Sequence, residues 1–128
     1  MKLSAHYIKA LDTISLILFC SFIYWLSAQT SLPTPLKFPH QDKVMHMGTY
    51  FILTFFTVRA FRHLKLSHRE LIISSLIFAS AYGASDEWHQ SFVARRSSEL
   101  NDWLADTLGA ILLLCSFQLL KCYQKSKH

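Results

Sequence analysis

Four long apolar runs, separated by short polar segments, dominate the pattern of the chain; they cover about residues 8–28, 44–61, 71–88 and 103–120. A helix that crosses a bilayer needs roughly 20 predominantly apolar residues to span a hydrocarbon core about 30 Å thick. Each run has about this length. The pattern therefore predicts an all-α fold, a polytopic membrane bundle of four transmembrane helices that forms one domain over residues 1–128.

The second and third runs are weaker membrane spans than the other two, because hydroxyl side chains and His46 interrupt them. Small and hydroxyl residues suit contacts between helices inside a membrane bundle. An interfacial position for one of these runs stays open as an alternative. The first run resembles a signal peptide, but its apolar stretch exceeds the roughly 7–15 residues usual for a signal. We interpret it as a retained helix.

Composition and charge support a membrane protein. Apolar residues make up 52% of the chain and charged residues 16%, whereas soluble domains have roughly 25% charged residues. In a soluble protein the net charge of +5 would point to nucleic acid. Here the basic residues lie in short segments between the apolar runs, so we expect no nucleic-acid partner.

The distribution of Lys and Arg predicts the orientation of the bundle. With four spans, nine basic residues fall on one side, namely Lys2, Lys9, Arg59, Arg62, Lys65, Arg69, Lys121, Lys125 and Lys127. Four fall on the other side, namely Lys37, Lys43, Arg95 and Arg96. Because cytoplasmic segments are enriched in Lys and Arg, both termini are predicted to be cytoplasmic. We interpret the cytoplasmic charges as solvated determinants of topology.

Polar residues gather at the outer ends of the predicted helices. Asp42, His46 and Tyr50 are spaced i, i+4, i+8 and form one stripe on the second helix, with Lys43 beside it. Asp42 is the predicted N-cap of that helix. His46 and Tyr50 lie inside the apolar run, where a polar side chain is hard to explain as a group that faces lipid.

The third and fourth helices contribute further polar groups at the same end. Glu87 and Gln90 share one face of the third helix at i, i+3. Asp102 and Asp106 share a face of the fourth helix, which Gly109 and Ala110 leave open for close packing. A carboxylate at Asp106 is expensive in the membrane unless it is paired, and the predicted partner is an arginine of the preceding loop, Arg95 or Arg96.

Three interpretations of this constellation stay open. In the first, Arg96 pairs with Glu87 or Asp106 and the network only holds the bundle together. In the second, the site binds a lipid-linked or anionic headgroup, with the ligand-binding candidates Asp42, Lys43, His46, Tyr50, Glu87, Gln90, Arg96, Asp102 and Asp106.

In the third interpretation the protein is a membrane-embedded hydrolase or transferase. It would use His46 or His89 as acid and base, or a metal held by the set His46, Glu87, His89, Asp102 and Asp106. No HExxH or other compact ligand motif is present. We therefore predict no cofactor or metal and assign no catalytic residue.

The order and spacing of these fragments resemble the VanZ-like family of small bacterial membrane proteins. The resemblance covers about residues 24–110 and rests on Asp42-Lys43-xx-His46-xxx-Tyr50, on the stretch Asp86-Glu87-Trp88-His89-Gln90-Ser91-Phe92 followed by Arg96, on Asp102-xxx-Asp106-xx-Gly109 and on Leu26-Ser27-Ala28-Gln29. This chain has Asp106 where the family usually has Asn. It has Ala94-Arg95 where the family often has Pro-Gly.

The resemblance implies a protein of the bacterial cytoplasmic (inner) membrane with an outward-facing role in the envelope. The family is named for a protein linked to low-level resistance to the glycopeptide teicoplanin, so a link to glycopeptide tolerance is a hypothesis for this chain. The expected partners are membrane lipids and a lipid-linked cell-wall precursor or another envelope ligand. A bundle this small is also a candidate for self-association.

Overall fold

The computed structural model describes residues 4–31 and 38–126, and three of the basic residues used to predict the topology, Lys2, Lys37 and Lys127, lie outside this part of the chain. It contains four α-helices and, within the described residues, no strand. The helices are α1 (Ala5–Ser27), α2 (Gln41–Phe61), α3 (His68–Gln90) and α4 (Leu100–Ser126). The all-α architecture is confirmed.

All four helices begin three residues before the apolar runs do, because polar residues form their first turns. The start of α3 has a local cause. The Ser67 hydroxyl accepts a hydrogen bond from the Glu70 backbone N–H, and the Glu70 carboxylate accepts one from the Ser67 N–H. This capping box satisfies two N–H groups that the first helical turn would otherwise leave unpaired.

The predicted role of Asp42 as the cap of α2 is wrong. The N-cap is His40, which adopts a left-handed backbone with φ of 60°. Asp42 lies within the first turn instead, where its carboxylate accepts a hydrogen bond from Lys43 Nζ at 2.9 Å. The apolar pattern could not reveal this, because the turn at Pro39 and His40 sets where the helix begins.

On α3, polar and small side chains face the interior of the bundle and large apolar side chains face outward. The buried stripe of α3 comprises Ser75, Ala79, Gly83, Asp86, Glu87 and Gln90. On the outer surface of the same helix, Ile73 and Ile77 are exposed. This arrangement is the reverse of a soluble bundle and is typical of helices surrounded by lipid, where apolar surface needs no burial.

Three helices, α1, α2 and α4, are long and apolar enough to cross a membrane. Helix α3 has 23 residues and is therefore long enough, but its polar stripe lowers its hydropathy, and it does not qualify by composition. The sequence prediction of four spans is thus confirmed for three helices.

Helix α2 lies at the centre of the bundle and contacts each of the other three helices, most extensively α4. Within the described residues α1 and α4 do not pack on each other. The close approach of α2 to α4 depends on Gly109, since a Cβ built there would lie 2.1 Å from the Met47 carbonyl oxygen. This confirms the role predicted for Gly109, and it brings the first turns of α2 and α4 together.

Candidate functional site

Three helices bring charged side chains together at one end of the bundle. Lys43 and His46 come from α2, Glu87 from α3, and Asp102 and Asp106 from α4; we call these five residues the Asp106 cluster. The two aspartates and Glu87 are buried, while Lys43 and His46 are partly buried. The residues that the spacing placed at one helix end therefore do meet in space.

His46 is the centre of this cluster. Its Nδ1 lies 2.9 Å from Asp106 Oδ1 and 4.0 Å from Glu87 Oε1. Its other ring nitrogen, Nε2, lies 4.0 Å from Asp102 Oδ2. One imidazole is thus surrounded by three buried carboxylates.

Asp106 is fully buried, and Gly83 of α3 makes room for it. A Cβ at Gly83 would lie 2.9 Å from Asp106 Oδ2 and 3.3 Å from the Tyr50 ring. The sequence analysis missed this glycine, although its position four residues before Glu87 on the polar stripe of α3 was the available signal. The close packing fixes the Asp106 side chain between α2 and α3.

Several buried polar atoms of this region have no hydrogen-bond partner in the described part of the chain. They include the Tyr50 hydroxyl, Glu87 Oε1, Asp106 Oδ2 and Arg96 Nε. Most buried polar groups in proteins are paired, and an unpaired one costs about 1–3 kcal/mol. We therefore regard this region as the candidate functional site of the protein.

Lys43 forms the outer edge of the cluster. Its ammonium contacts the carboxylates of Asp42 at 2.9 Å and Glu99 at 2.7 Å, and it also pairs with Asp102. The hydrogen bond from Lys43 lowers the pKa of the Glu99 carboxyl below its usual value. Three carboxylates thus already surround the ammonium of Lys43, which the sequence analysis named as a ligand-binding candidate.

The arginine predicted to pair with Asp106 has a different partner. Arg96 Nη2 donates to the Gln90 side-chain oxygen at 3.0 Å, and Gln90 Nε2 donates to Asp86 Oδ2 at 3.0 Å. Across the residues that the structure describes, His46 is the ion-pair partner of Asp106, and Arg96 pairs with no carboxylate. The predicted pairings of Arg96 with Glu87 and Asp106 are therefore wrong.

The loop between α3 and α4 explains how Arg96 is placed. Arg95 adopts a left-handed backbone with φ of 63°, which side chains other than glycine rarely favour. This is the position at which the VanZ-like pattern often has glycine. Arg95 itself is exposed, so the suggestion that it compensates the charge of Asp106 is wrong.

Two cavities meet at this end of the bundle. One of about 70 Å³ lies between α1, α2 and α3 and includes Tyr50 and Asp86 in its wall. The other, of about 180 Å³, lies at the mouth of the cluster. His46, Gln90 and Arg96 line both cavities.

His89, one of the predicted acid–base or metal residues, lies apart from the cluster. Its Nδ1 is 3.1 Å from the Ser27 hydroxyl, and its ring stacks on Tyr24 at 4.4 Å between centroids. His89 therefore joins α3 to the end of α1. Including it in a metal site with His46 is wrong, because among the described residues its ring contacts Ser27 and Tyr24 and it belongs to neither group of donors that could hold a metal ion.

Two groups of side chains have donor atoms close enough to hold a metal ion, with all donors of a group within 4.8 Å of one another. The first is His46, Glu87 and Asp106. The second is Asp42, Glu99 and Asp102. In the second group the Lys43 ammonium already contacts every carboxylate and takes the place of a cation.

The sequence analysis also missed a cluster at the opposite end of the bundle, formed by Asp12, Arg59, Arg62 and His63; we call it the Asp12 cluster. Asp12 is buried, and its carboxylate contacts Arg59 at 2.7 Å, Arg62 at 2.9 Å and His63 at 2.8 Å. Two of the basic residues interpreted as solvated determinants of topology therefore have a structural role as well. The available signal was an aspartate within the first apolar run, where an unpaired charge is costly.

Comparison with known proteins agrees with the motifs. Searches of curated proteins and of solved structures returned no significant match. The family model described as VanZ/LLP1 matches residues 3–121, which includes all four helices except the last turn of α4. The chain therefore belongs to the VanZ/LLP1 family.

Proposed function

We propose that this chain is a four-span protein of the bacterial cytoplasmic membrane that binds the polar headgroup of a lipid or lipid-linked molecule. The bound headgroup would occupy the two cavities at the Asp106 end of the bundle. The observation that carries this proposal is Arg96, a partly buried guanidinium that pairs with no carboxylate in the described residues although several lie nearby.

The arrangement of charge around the larger cavity supports a headgroup that carries an anionic group beside amine or hydroxyl groups. Its wall includes two basic residues, Arg95 and Arg96, and three acidic ones, Asp42, Glu99 and Asp102. An arginine binds phosphate or carboxylate through a planar set of donors. The carboxylate oxygens that Lys43 does not contact, Asp42 Oδ1 and Asp102 Oδ2, offer acceptors for amine and hydroxyl groups.

The placement of this pocket in the membrane supports a ligand from the outer leaflet. Helix α3 carries its polar residues inward and its large apolar residues outward, which suits a fourth span inside the bundle. With four spans, the excess of Lys and Arg at the other end puts both termini in the cytoplasm. The Asp106 end then faces outward, where cell-wall precursors and glycopeptides meet.

Native mass spectrometry of the protein in mild detergent tests the proposal, with Arg96→Ala and Arg69→Ala compared. Arg69 is exposed at the start of α3, so its replacement removes the same charge at the opposite end of the bundle. We expect a retained lipid or glycolipid in the wild type and in Arg69→Ala, and at least tenfold less in Arg96→Ala. Equal lipid content in a folded Arg96→Ala protein would refute the proposal.

Glycopeptide tolerance is the expected consequence if the retained molecule is a cell-wall precursor. Cells that produce the wild-type chain should then survive more teicoplanin than cells that produce Arg96→Ala at equal membrane levels. Retention of an ordinary phospholipid, with no difference in survival, would support headgroup binding and contradict the link to tolerance.

Catalysis is a second candidate function, and the observation that favours it is the contact of His46 with Asp106. A carboxylate that orients an imidazole is a common acid–base arrangement, and His46 lines both cavities. Turnover of the retained lipid that is lost in His46→Ala would support this function. A retained lipid that stays intact over long incubation would contradict it.

A further inference from the structure

We propose that His46, Glu87 and Asp106 form a binding site for a divalent transition-metal ion of the Zn²⁺ type. The inference goes beyond headgroup binding and does not rest on it. The three residues come from α2, α3 and α4, and their donor atoms lie within 4.8 Å of one another. Donors around a tetrahedral Zn²⁺ are separated by roughly 3.5 Å, given metal–ligand distances of about 2.0–2.2 Å. To reach that spacing, the 2.9 Å pair of His46 Nδ1 and Asp106 Oδ1 must open slightly, and the 4.0 Å pair of His46 Nδ1 and Glu87 Oε1 must close slightly.

The strongest single indication is an unpaired oxygen that faces the imidazole. Glu87 is only 5% exposed, and its Oε1 has no hydrogen-bond partner in the described residues. This oxygen lies 4.0 Å from His46 Nδ1. The other oxygen, Oε2, accepts the Glu99 backbone N–H at 3.0 Å, which fixes the carboxylate and directs Oε1 toward the imidazole.

The charge balance of the site also favours a cation. The carboxylates of Glu87 and Asp106 share one imidazole, and both are buried. The nearby side chains with a permanent positive charge do not neutralise Glu87 and Asp106. Lys43 pairs with three other carboxylates at the mouth of the cluster, and Arg96 donates to Gln90. Buried charges in proteins are normally paired or coordinate a metal, and a divalent ion would neutralise both carboxylates.

A carboxylate lies on each side of the His46 ring, as is common around a metal-bound histidine, although the one beyond Nε2 is too far away for a hydrogen bond. When one ring nitrogen binds a metal, the other usually donates to a carboxylate that fixes the orientation of the ring. His46 Nδ1 faces Glu87 and Asp106, while Nε2 faces Asp102 Oδ2 at 4.0 Å. Asp102 is itself held by Lys43, so it is oriented from outside the site.

The donor set indicates which ion the site would prefer. One imidazole and two carboxylates suit Zn²⁺ and neighbouring transition metals, whereas Mg²⁺ and Ca²⁺ favour oxygen donors alone. Three protein ligands leave a coordination position open, and His46 is the one of the three that lines the two cavities. The second acidic group is less suitable because Lys43 occupies it.

The experiment is Zn²⁺ binding to the full chain in detergent, after treatment with a chelator, with elemental analysis and calorimetric titration. Glu87→Gln and Asp106→Asn each remove one charged ligand and keep the shape of the side chain. Glu70→Gln is the matched control because it makes the same chemical change in the capping box of α3, where glutamine serves as well as glutamate.

We expect one Zn²⁺ per chain in the wild type and in Glu70→Gln, and at least tenfold weaker binding in each of the two ligand variants. Co²⁺ in place of Zn²⁺ should give a visible spectrum that both ligand variants lose. The proposal is overturned if the wild type binds no Zn²⁺, or if folded Glu87→Gln and Asp106→Asn proteins bind it as tightly as the wild type does.

Discussion

The Asp12 cluster and the Asp106 cluster lie at opposite ends of the same bundle, and they differ in how their polar atoms are paired. In the Asp12 cluster one buried carboxylate faces three basic side chains, and both of its oxygens accept hydrogen bonds. In the Asp106 cluster three buried carboxylates share one imidazole and one ammonium. The Asp12 cluster therefore has an excess of hydrogen-bond donors, and the Asp106 cluster has an excess of hydrogen-bond acceptors.

This difference in pairing is the one expected between a network that only holds helices together and a site that binds a ligand. A buried charge with all its hydrogen bonds made holds helices in register and requires nothing further. Buried acceptors without partners carry a desolvation penalty that the folded chain alone does not offset. We therefore interpret the Asp12 cluster as a contact that joins α1 to the end of α2, and the Asp106 cluster as the site of the ligand binding proposed above.

The largest expected effect comes from breaking the Asp106 cluster through the helix crossing that forms it. In Gly109→Ala the new Cβ would lie 2.1 Å from the Met47 carbonyl oxygen, so α2 and α4 must separate. We expect the free energy of unfolding in detergent to fall by about 3 kcal/mol, a typical upper value for overpacking.

Gly48→Ala is the control for this prediction, since a Cβ at Gly48 meets nothing within 4 Å. This substitution should raise the free energy of unfolding by about 0.5–1 kcal/mol, because glycine loses more backbone entropy in a helix than alanine does. Equal stabilities of the two variants would contradict the close crossing.

The next largest effect is expected when the central carboxylate of each cluster, Asp12 or Asp106, is replaced by an amide. Asp12→Asn removes the charge that three basic side chains share, and we expect a loss of about 2 kcal/mol. A larger loss is not expected, since Arg59 and Arg62 are 43% and 46% exposed and regain water. Denaturant unfolding in detergent would measure the change.

Asp106→Asn should not lower the free energy of unfolding when a chelator keeps the protein free of metal. The amide oxygen can still accept from His46, while the repulsion from the carboxylates of Glu87 and Asp102 disappears. We expect a free energy of unfolding equal to the wild type or up to about 1 kcal/mol above it. A loss as large as that of Asp12→Asn would mean that both clusters are structural.

Hydropathy alone predicted the helices, because apolar runs of spanning length form helices in lipid whatever their neighbours are. Spacing alone predicted which polar residues share a face, and His46, Glu87, Asp102 and Asp106 do meet. Spacing could not predict which charged side chains of this region pair with each other. Arg96 lies ten residues before Asp106 in the chain, yet a left-handed turn at Arg95 places it against Gln90.

The Asp12 cluster illustrates a different limit. Its partners are 47 to 51 residues away in the sequence, so no local pattern connects them. An aspartate in an apolar run indicates that a partner exists, but its identity depends on how α1 packs against α2. His89 was misassigned for the same reason, since only the packing of α3 on α1 places it beside Ser27.

Two tyrosines, Tyr50, which is buried, and Tyr82, which is partly buried, show the same contrast between paired and unpaired groups without a charge. The Tyr82 hydroxyl donates to the Cys20 carbonyl oxygen at 2.6 Å, whereas the Tyr50 hydroxyl has no partner in the described chain. Tyr82→Phe should lower the free energy of unfolding by about 1 kcal/mol. Tyr50→Phe should raise it by about as much, because it removes a buried hydroxyl that makes no hydrogen bond.

Thermal unfolding of both tyrosine variants in the same detergent would check the opposite signs. Lipid or metal bound at the Asp106 end would change the result for Tyr50 alone, so the measurement is made after chelation and delipidation. A loss of stability in Tyr50→Phe under these conditions would show that its hydroxyl has a partner within the protein.

The smallest expected effect concerns the mouth of the Asp106 cluster. There Lys43 pairs with the carboxylates of Asp42, Glu99 and Asp102, just as the basic side chains of the Asp12 cluster pair with Asp12. Hydrogen bonding from Lys43 lowers the pKa of Glu99 from its usual 4.5 in the folded chain. A lowered folded-state pKa contributes stability that is present above 4.5 and is lost as the pH falls through the folded value. Glu99→Gln should therefore flatten the acid side of the melting-temperature profile slightly and leave the profile near pH 7 almost unchanged, since exposed ion pairs contribute little. If Glu99→Gln still loses melting temperature steeply at low pH, the loss must come from carboxylates deeper in the cluster. Asp102 would then have to be counted among the incompletely paired carboxylates, although Lys43 contacts it.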